Sequence, residues 1–209
     1  MSDHADALHD SDETPKRQRM KPGQRREQIL QTLAAMLEQP GSERITTALL
    51  ASKLEVSEAA LYRHFASKAQ MFEGLIDFIE HSVFSLINQI AEREEGGAQK
   101  AARMVTVLLQ FGERNPGMAR VMVGDALVFE NERLHQRMNQ LFERVESALR
   151  QVLRAAAEAS KSATPTADAQ VRAAVLVAFA LGQLQRFTRS GFKRSPLEHL
   201  EALLALMCR

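Results

Sequence analysis

The chain has one cysteine, six prolines and ten glycines in 209 residues, and aromatic residues make up only 5% of it. A lone cysteine, Cys208, excludes a disulfide framework within the chain and makes a reducing compartment the expectation. Low glycine, proline and aromatic counts favour an all-helical build, and a 45% hydrophobic content is enough for a real core in one or two domains. No run approaches the length needed to span a bilayer. The polar, acidic start offers no apolar segment for a signal peptide, so a cytoplasmic location is expected. Catalytic and metal constellations are also missing. The histidines His4, His9, His64, His81, His135 and His199 are scattered, no Cys or Asp/Glu set has ligand spacing, and no glycine-rich phosphate loop follows a strand. Neither enzyme activity nor a cofactor or metal is expected. Glu80-His81 reads as surface, and Met104, Met118, Met122 and Met138 as core filling.

The formal net charge of +1 conceals a partition: residues 1–13 carry five acids and no bases, whereas residues 16–68 carry ten bases against five acids. Positive charge therefore gathers around one segment, as nucleic-acid binding requires. That segment, Thr46 to Lys68, has the spacing of a helix-turn-helix. Thr46 and Thr47 are N-cap types opening a short helix whose Leu50 and Leu54 return after four positions, with Ala51 small enough for a second helix to cross closely. Glu55-Val56-Ser57 reads as the turn, with Val56 plugging the gap and Ser57 capping a second helix from Glu58 to His64 that Leu61 and Phe65 hold to the core. The exposed face then offers Glu58, Ala59, Tyr62, Arg63 and His64, with Ala60 beside them. Ser67 and Gln70 make a capping box that leaves Lys68 at a positive helix N-terminus. The DNA-reading candidates are thus Thr46, Thr47, Ser57, Glu58, Ala59, Ala60, Tyr62, Arg63, His64 and Lys68. Small Ala59 and Ala60 let the helix enter the groove deeply, while Tyr62, His64 and Lys68 set register on phosphates.

Along the chain, residues 1–22 form an arm, acidic then basic, with too little apolar content to fold. Residues 23–66 form the reader domain, opened by a helix from Gln24 with Ile29, Leu33, Met36 and Leu37 on one face, ending near Pro40-Gly41. Residues 67–209 form a second helical domain. Its first helix, to about Arg93, repeats Phe72, Leu75, Ile76, Ile79, Val83, Leu86, Ile87 and Ile90. Helices at about 98–113, 117–127 and 131–157 follow, then a flexible stretch at 159–167 and an apolar helix at 168–190. A last helix is expected to start at Ser195-Pro196-Leu197-Glu198 with a capping box. Val171, Val175, Phe179, Leu184, Leu200, Leu204 and Met207 have the content of a four-helix interface between two subunits, and hence of a palindromic target.

The ending Leu-Tyr-Arg-His-Phe-Ala-Ser-Lys at 61–68 resembles the DNA-binding domain of TetR-type regulators, which implies an all-α fold of about nine helices that dimerises through its C-terminal domain. The turn departs from that family, which commonly has glycine where this chain has Glu55. Further runs, Arg-Arg-Glu-Gln-Ile-Leu-Gln at 25–31, Arg-Ile-Thr-Thr-Ala at 44–48, Phe-Gly-Glu-Arg-Asn-Pro-Gly at 111–117 and Asn-Gln-Leu-Phe-Glu-Arg at 139–144, resemble the branch of that family that acts in nucleoid occlusion. The resemblance implies a cytoplasmic, nucleoid-associated homodimer, with one or two dimers per palindromic chromosomal site, that antagonises assembly of the division protein FtsZ when DNA-bound. It points to Phe78, Arg114 and Asn115 as the FtsZ-facing residues, and Leu86 stands where it would suggest a basic one. The alternative is a repressor released by a small molecule, which needs a sizeable apolar pocket in the second domain.

Overall fold

The computed structural model describes residues 23–39 and 45–208; the expected arm and the Pro40-Gly41 stop lie outside them. The described residues form nine α-helices and one 3₁₀ turn. Helix α1 (Gln24–Leu37) buries Ile29, Leu33, Met36 and Leu37, the expected stripe. Of two short helices, α2 (Thr47–Lys53) packs against α1 and α3 (Glu58–Tyr62) against α2, and the 26-residue α4 (Lys68–Arg93) carries the chain away. Then come α5 (Gly97–Arg114), α6 (Pro116–Met122), the 3₁₀ turn (Asp125–Leu127), α7 (Glu132–Ala159), α8 (Pro165–Arg189) and α9 (Leu200–Met207). Helices α7 and α8 pack most extensively on each other, and α5 lies against both. Buried residues from Ile29 through Ile79, Leu108 and Leu149 to Leu204 make one continuous core across both expected domains.

Helix α6 ties the reader to the body. A Cβ on Gly117 would lie 2.1 Å from the carbonyl oxygen of Ala34 in α1, so only glycine permits this approach. From the same helix Arg120 donates to the carbonyls of Leu37, at 3.2 Å, and Gln39, at 3.4 Å, satisfying acceptors that the end of α1 leaves without intrahelical partners.

Several expected boundaries are corrected. The reader helix ends at Tyr62 rather than His64. The helix expected at 117–127 stops at Met122, because Gly124 turns left-handed and starts the 3₁₀ turn. The stretch expected to be flexible at 159–167 shrinks to residues 160–164: Ser162 and Thr164 donate to the Asp168 carboxylate at 2.5 and 3.0 Å, tying the loop to the first turn of α8 and holding that carboxyl below its ordinary pKa. The capping box at Ser195 is incomplete: Ser195 Oγ accepts the Leu197 N–H at 3.1 Å rather than that of Glu198 and gives its proton to Glu113, Glu198 pairs with Arg194 instead of reaching back, and α9 begins only at Leu200 after a left-handed His199. Leu86 is exposed rather than in the α4 core. Leu184 is fully buried within the protomer and so is not available to a second subunit, and Leu200 and Leu204 are largely covered by their own protomer. Finally, α8 is long and apolar enough to cross a membrane by composition, contrary to expectation. It buries Ala173, Leu176, Ala180 and Leu184 in the core, as a core helix does, yet leaves Val171 64% and Val175 47% exposed on its other side.

Candidate nucleic-acid interface

Three hydroxyl caps set the reader's geometry. Thr46 Oγ1 accepts the Leu49 N–H at 3.2 Å, Ser57 Oγ the Ala60 N–H at 3.3 Å, and Ser67 Oγ the Gln70 N–H at 3.2 Å. The Gln70 side chain reaches back one residue further than a capping box requires, accepting the Ala66 N–H at 2.9 Å. Between α2 and α3 the chain turns through Glu55, whose φ of 54° is left-handed. The Glu55 N–H bonds to the Ser52 carbonyl at 3.1 Å and the Val56 N–H to that of Ala51 at 3.0 Å, a Schellman closure with Val56 tucked against the core. A side chain with a Cβ in that conformation costs roughly 1 kcal/mol. Replacing Glu55 by glycine is therefore expected to raise the unfolding free energy by up to about 1 kcal/mol and to tighten DNA binding most at low salt, since a carboxylate leaves the phosphate side. Urea titration and fluorescence anisotropy check this, and a variant that melts lower and binds no better would contradict it.

Leu61 and Phe65 anchor the reader inward at 1% exposure, and Glu58, Ala59, Tyr62, Arg63 and His64 face outward, with Ala60 half-buried. His64 sits beyond the helix, in a turn that Arg26 of α1 pins: its guanidinium donates to the His64 carbonyl at 2.9 Å and stacks 4.1 Å from the Phe65 ring centre. Thr47 and Glu58 meet, the hydroxyl donating to the carboxylate at 2.6 Å, with the Tyr62 hydroxyl 3.5 Å from Thr47. Lys68 opens α4 as foreseen, but its ammonium is paired with Glu130, in the loop before α7, and lies 5.7 Å from the Phe72 ring centre. Its remaining N–H donors are what it can offer a phosphate.

Away from this face, Phe78 is 49% exposed on α4, its ring 6.3 Å from that of Phe111 on α5. Arg114 closes α5 in solvent one turn beyond Phe111, and Asn115 donates to the Phe111 carbonyl at 2.8 Å while leading into α6. The three residues proposed for the partner patch thus border one α4–α5 corner. Sequence reasoning missed Arg26, Gly117, Arg120 and Glu130. Of these, only Gly117 stood in a motif, Phe-Gly-Glu-Arg-Asn-Pro-Gly; Arg26 lies on the apolar side of α1, three residues before Ile29 and seven before Leu33, where no local pattern announces its bond to the His64 turn.

The chain matches the family model for the N-terminal region of bacterial regulatory proteins of the tetR family over residues 29–75, and a Tetracyclin repressor-like, C-terminal domain of SlmA-like type over residues 98–209. It is 51% identical over 188 residues to the nucleoid occlusion factor SlmA of Vibrio vulnificus (strain YJ016), covering 90% of this chain and 95% of that one. It is likewise 51% identical over 184 residues to the SlmA of Vibrio cholerae serotype O1, covering 88% and 93%. The fold is that of the MbdR regulator from Azoarcus sp. CIB, with a TM-score of 0.72 at 16% identity, covering 88% of this chain and 96% of that one. The regulator PfmR from Thermus thermophilus superposes with a TM-score of 0.69 at 20% identity, covering 87% and 97%. With half of its residues shared from the reader through the C-terminal helices, the chain belongs to the SlmA family of nucleoid occlusion factors within the TetR-type regulators.

Proposed function

We propose that the chain is a DNA-binding nucleoid occlusion factor that acts as a homodimer on palindromic chromosomal sites and, when DNA-bound, antagonises FtsZ assembly. The observation that carries this is identity of about half over nearly the whole chain, when the reader itself accounts only for residues 29–75. Two copies join through the outward face of α8, where Val171, Val175, Ala178 and Gly182 recur at helical spacing, and Leu206 of α9, 71% exposed, is a further apolar side chain open to a partner. A palindrome matches such two-fold symmetry. The protein then resides on the nucleoid.

FtsZ is read by the Phe78, Arg114 and Asn115 corner, an aromatic anchor beside an arginine, which is the composition of an interface hot spot. The corner lies on α4 and α5, off the reader face, so DNA and FtsZ are held together. Arg114→Asp is expected to leave DNA affinity and dimerisation intact and to abolish the effect on FtsZ filaments, read by sedimentation in the presence of a bound palindrome. Wild-type antagonism by this variant would remove the corner from the proposal, and inactivity of the wild type would return the protein to the ligand-released alternative. What the second domain offers that alternative is an open groove rather than an enclosed pocket. Met104, Leu108, Leu141, Leu149, Leu176 and Leu184 fill the space between α5, α7 and α8. The apolar groove of about 760 Å³ lined by Ala98, Ala102, Leu200 and Leu204 lies open between α5 and α9.

A further inference from the structure

We infer that Glu58 reads a cytosine in the major groove of each half-site, with Thr47 holding its carboxylate in position; this rests on the DNA-binding reading above. The reader helix is only five residues long, and its first turn presents Glu58, Ala59 and Ala60. The two alanines have no polar atoms beyond the backbone. Within the first turn of α3 Glu58 is therefore the side chain able to make a directed hydrogen bond to a base edge, while the Ser57 Oγ before it is engaged in capping the Ala60 N–H. An exposed carboxylate beside phosphates is electrostatically costly, so a compensating donor must face it.

Chemistry narrows that donor. Guanine shows two acceptors in the major groove, thymine an acceptor and a methyl group, and adenine a donor beside an acceptor that repels a carboxylate; only cytosine presents a donor alone, its exocyclic amine. The geometry supplies the orientation. Thr47, the first residue of α2, donates its single hydroxyl proton to Glu58 Oε2 at 2.6 Å, so it cannot donate elsewhere. Its lone pairs face the Tyr62 hydroxyl at 3.5 Å, which brings the last residue of α3 to the same group. One carboxylate oxygen of this exposed side chain is thereby held from outside the helix, leaving the other to accept from a base, and α2 and α3 are linked through the pair. Thr47 is a positioning residue and Glu58 the one that touches base.

The test begins with a palindrome selected from randomised duplex DNA by the wild-type protein, followed by every single base-pair change made symmetrically in both half-sites. Binding of wild type, Glu58→Gln, Glu58→Ala and Thr47→Val is measured by anisotropy at fixed salt, with circular dichroism melting to establish that each variant is folded. Wild type should lose about ten-fold or more at one C·G pair. Glu58→Ala should flatten the preference at that pair and preserve the ranking at all others. Glu58→Gln should shift it toward adenine, whose donor and acceptor suit an amide. Thr47→Val, which keeps the shape and removes the hydroxyl, should weaken the preference at the same pair alone. A uniform change across all sites in Glu58→Ala would overturn the inference while leaving DNA binding intact. A wild type that selects no sequence at all would overturn both.

Discussion

Gly117→Ala is expected to lower the unfolding free energy by about 2–3 kcal/mol, although it adds a single methyl group. That methyl would sit 2.1 Å from the Ala34 carbonyl oxygen and 3.2 Å from the Leu37 Cβ. The first obstacle is backbone in the last turn of α1, which cannot rotate away as a side-chain tip can. Relief requires α1 and α6 to separate, and separation also lengthens the Arg120 bonds to the Leu37 and Gln39 carbonyls. For a chain of this size the loss corresponds to a fall in melting temperature of roughly 4–12 °C, which calorimetry would read directly. An unchanged melting temperature would mean that the α1–α6 contact yields cheaply and is no rigid joint.

The second large effect is on recognition. Ala59→Leu is expected to weaken binding to the selected palindrome by at least about thirty-fold, roughly 2 kcal/mol, while leaving stability within about 0.5 kcal/mol. Ala59 is exposed at the second position of α3, so a leucine there disturbs no packing inside the protein. It stands instead between the helix and the groove floor, and holds away the Glu58 carboxylate as well as the backbone. Contacts to phosphate from the rim survive this displacement, so affinity for unrelated DNA should fall much less. Equal affinity of variant and wild type for the palindrome would show that α3 does not enter the groove by this end.

What the sequence made legible follows the range of the interactions concerned. The caps at Thr46, Ser57 and Ser67 and the buried stripe of α1 depend on residues each within four positions of the next, and all are found where expected. The misreadings involve partners far apart in the chain. Ser195 looks like a helix cap and its oxygen does accept the Leu197 N–H, but its proton goes to Glu113, 82 positions away, and α9 starts a turn late. Leu184, Leu200 and Leu204 have the same apolar character as Val171 and Val175, and composition cannot say which of them a protomer buries by itself. Lys68 has the position of a phosphate contact, and no local pattern announces Glu130 across 62 residues. For the reader, then, chemistry within a helical turn was sufficient, whereas the joint between reader and body had no sequence signature beyond one glycine.

That joint has a consequence for the DNA. With α6 packed against α1 through Gly117 and braced by Arg120, and with the core continuous from α1 into the helices proposed to carry the dimer face, each reader is fixed to its subunit as a jaw is fixed to a calliper. The distance and angle between the two jaws are then properties of the folded dimer, set before any DNA is met. One additional base pair between half-sites displaces one of them by about 3.4 Å and rotates it by roughly 35° around the duplex axis. A protein whose readers hung on linkers would absorb such a change. This one must strain its own core or bend the DNA, so the spacing of a site is gauged as strictly as its letters.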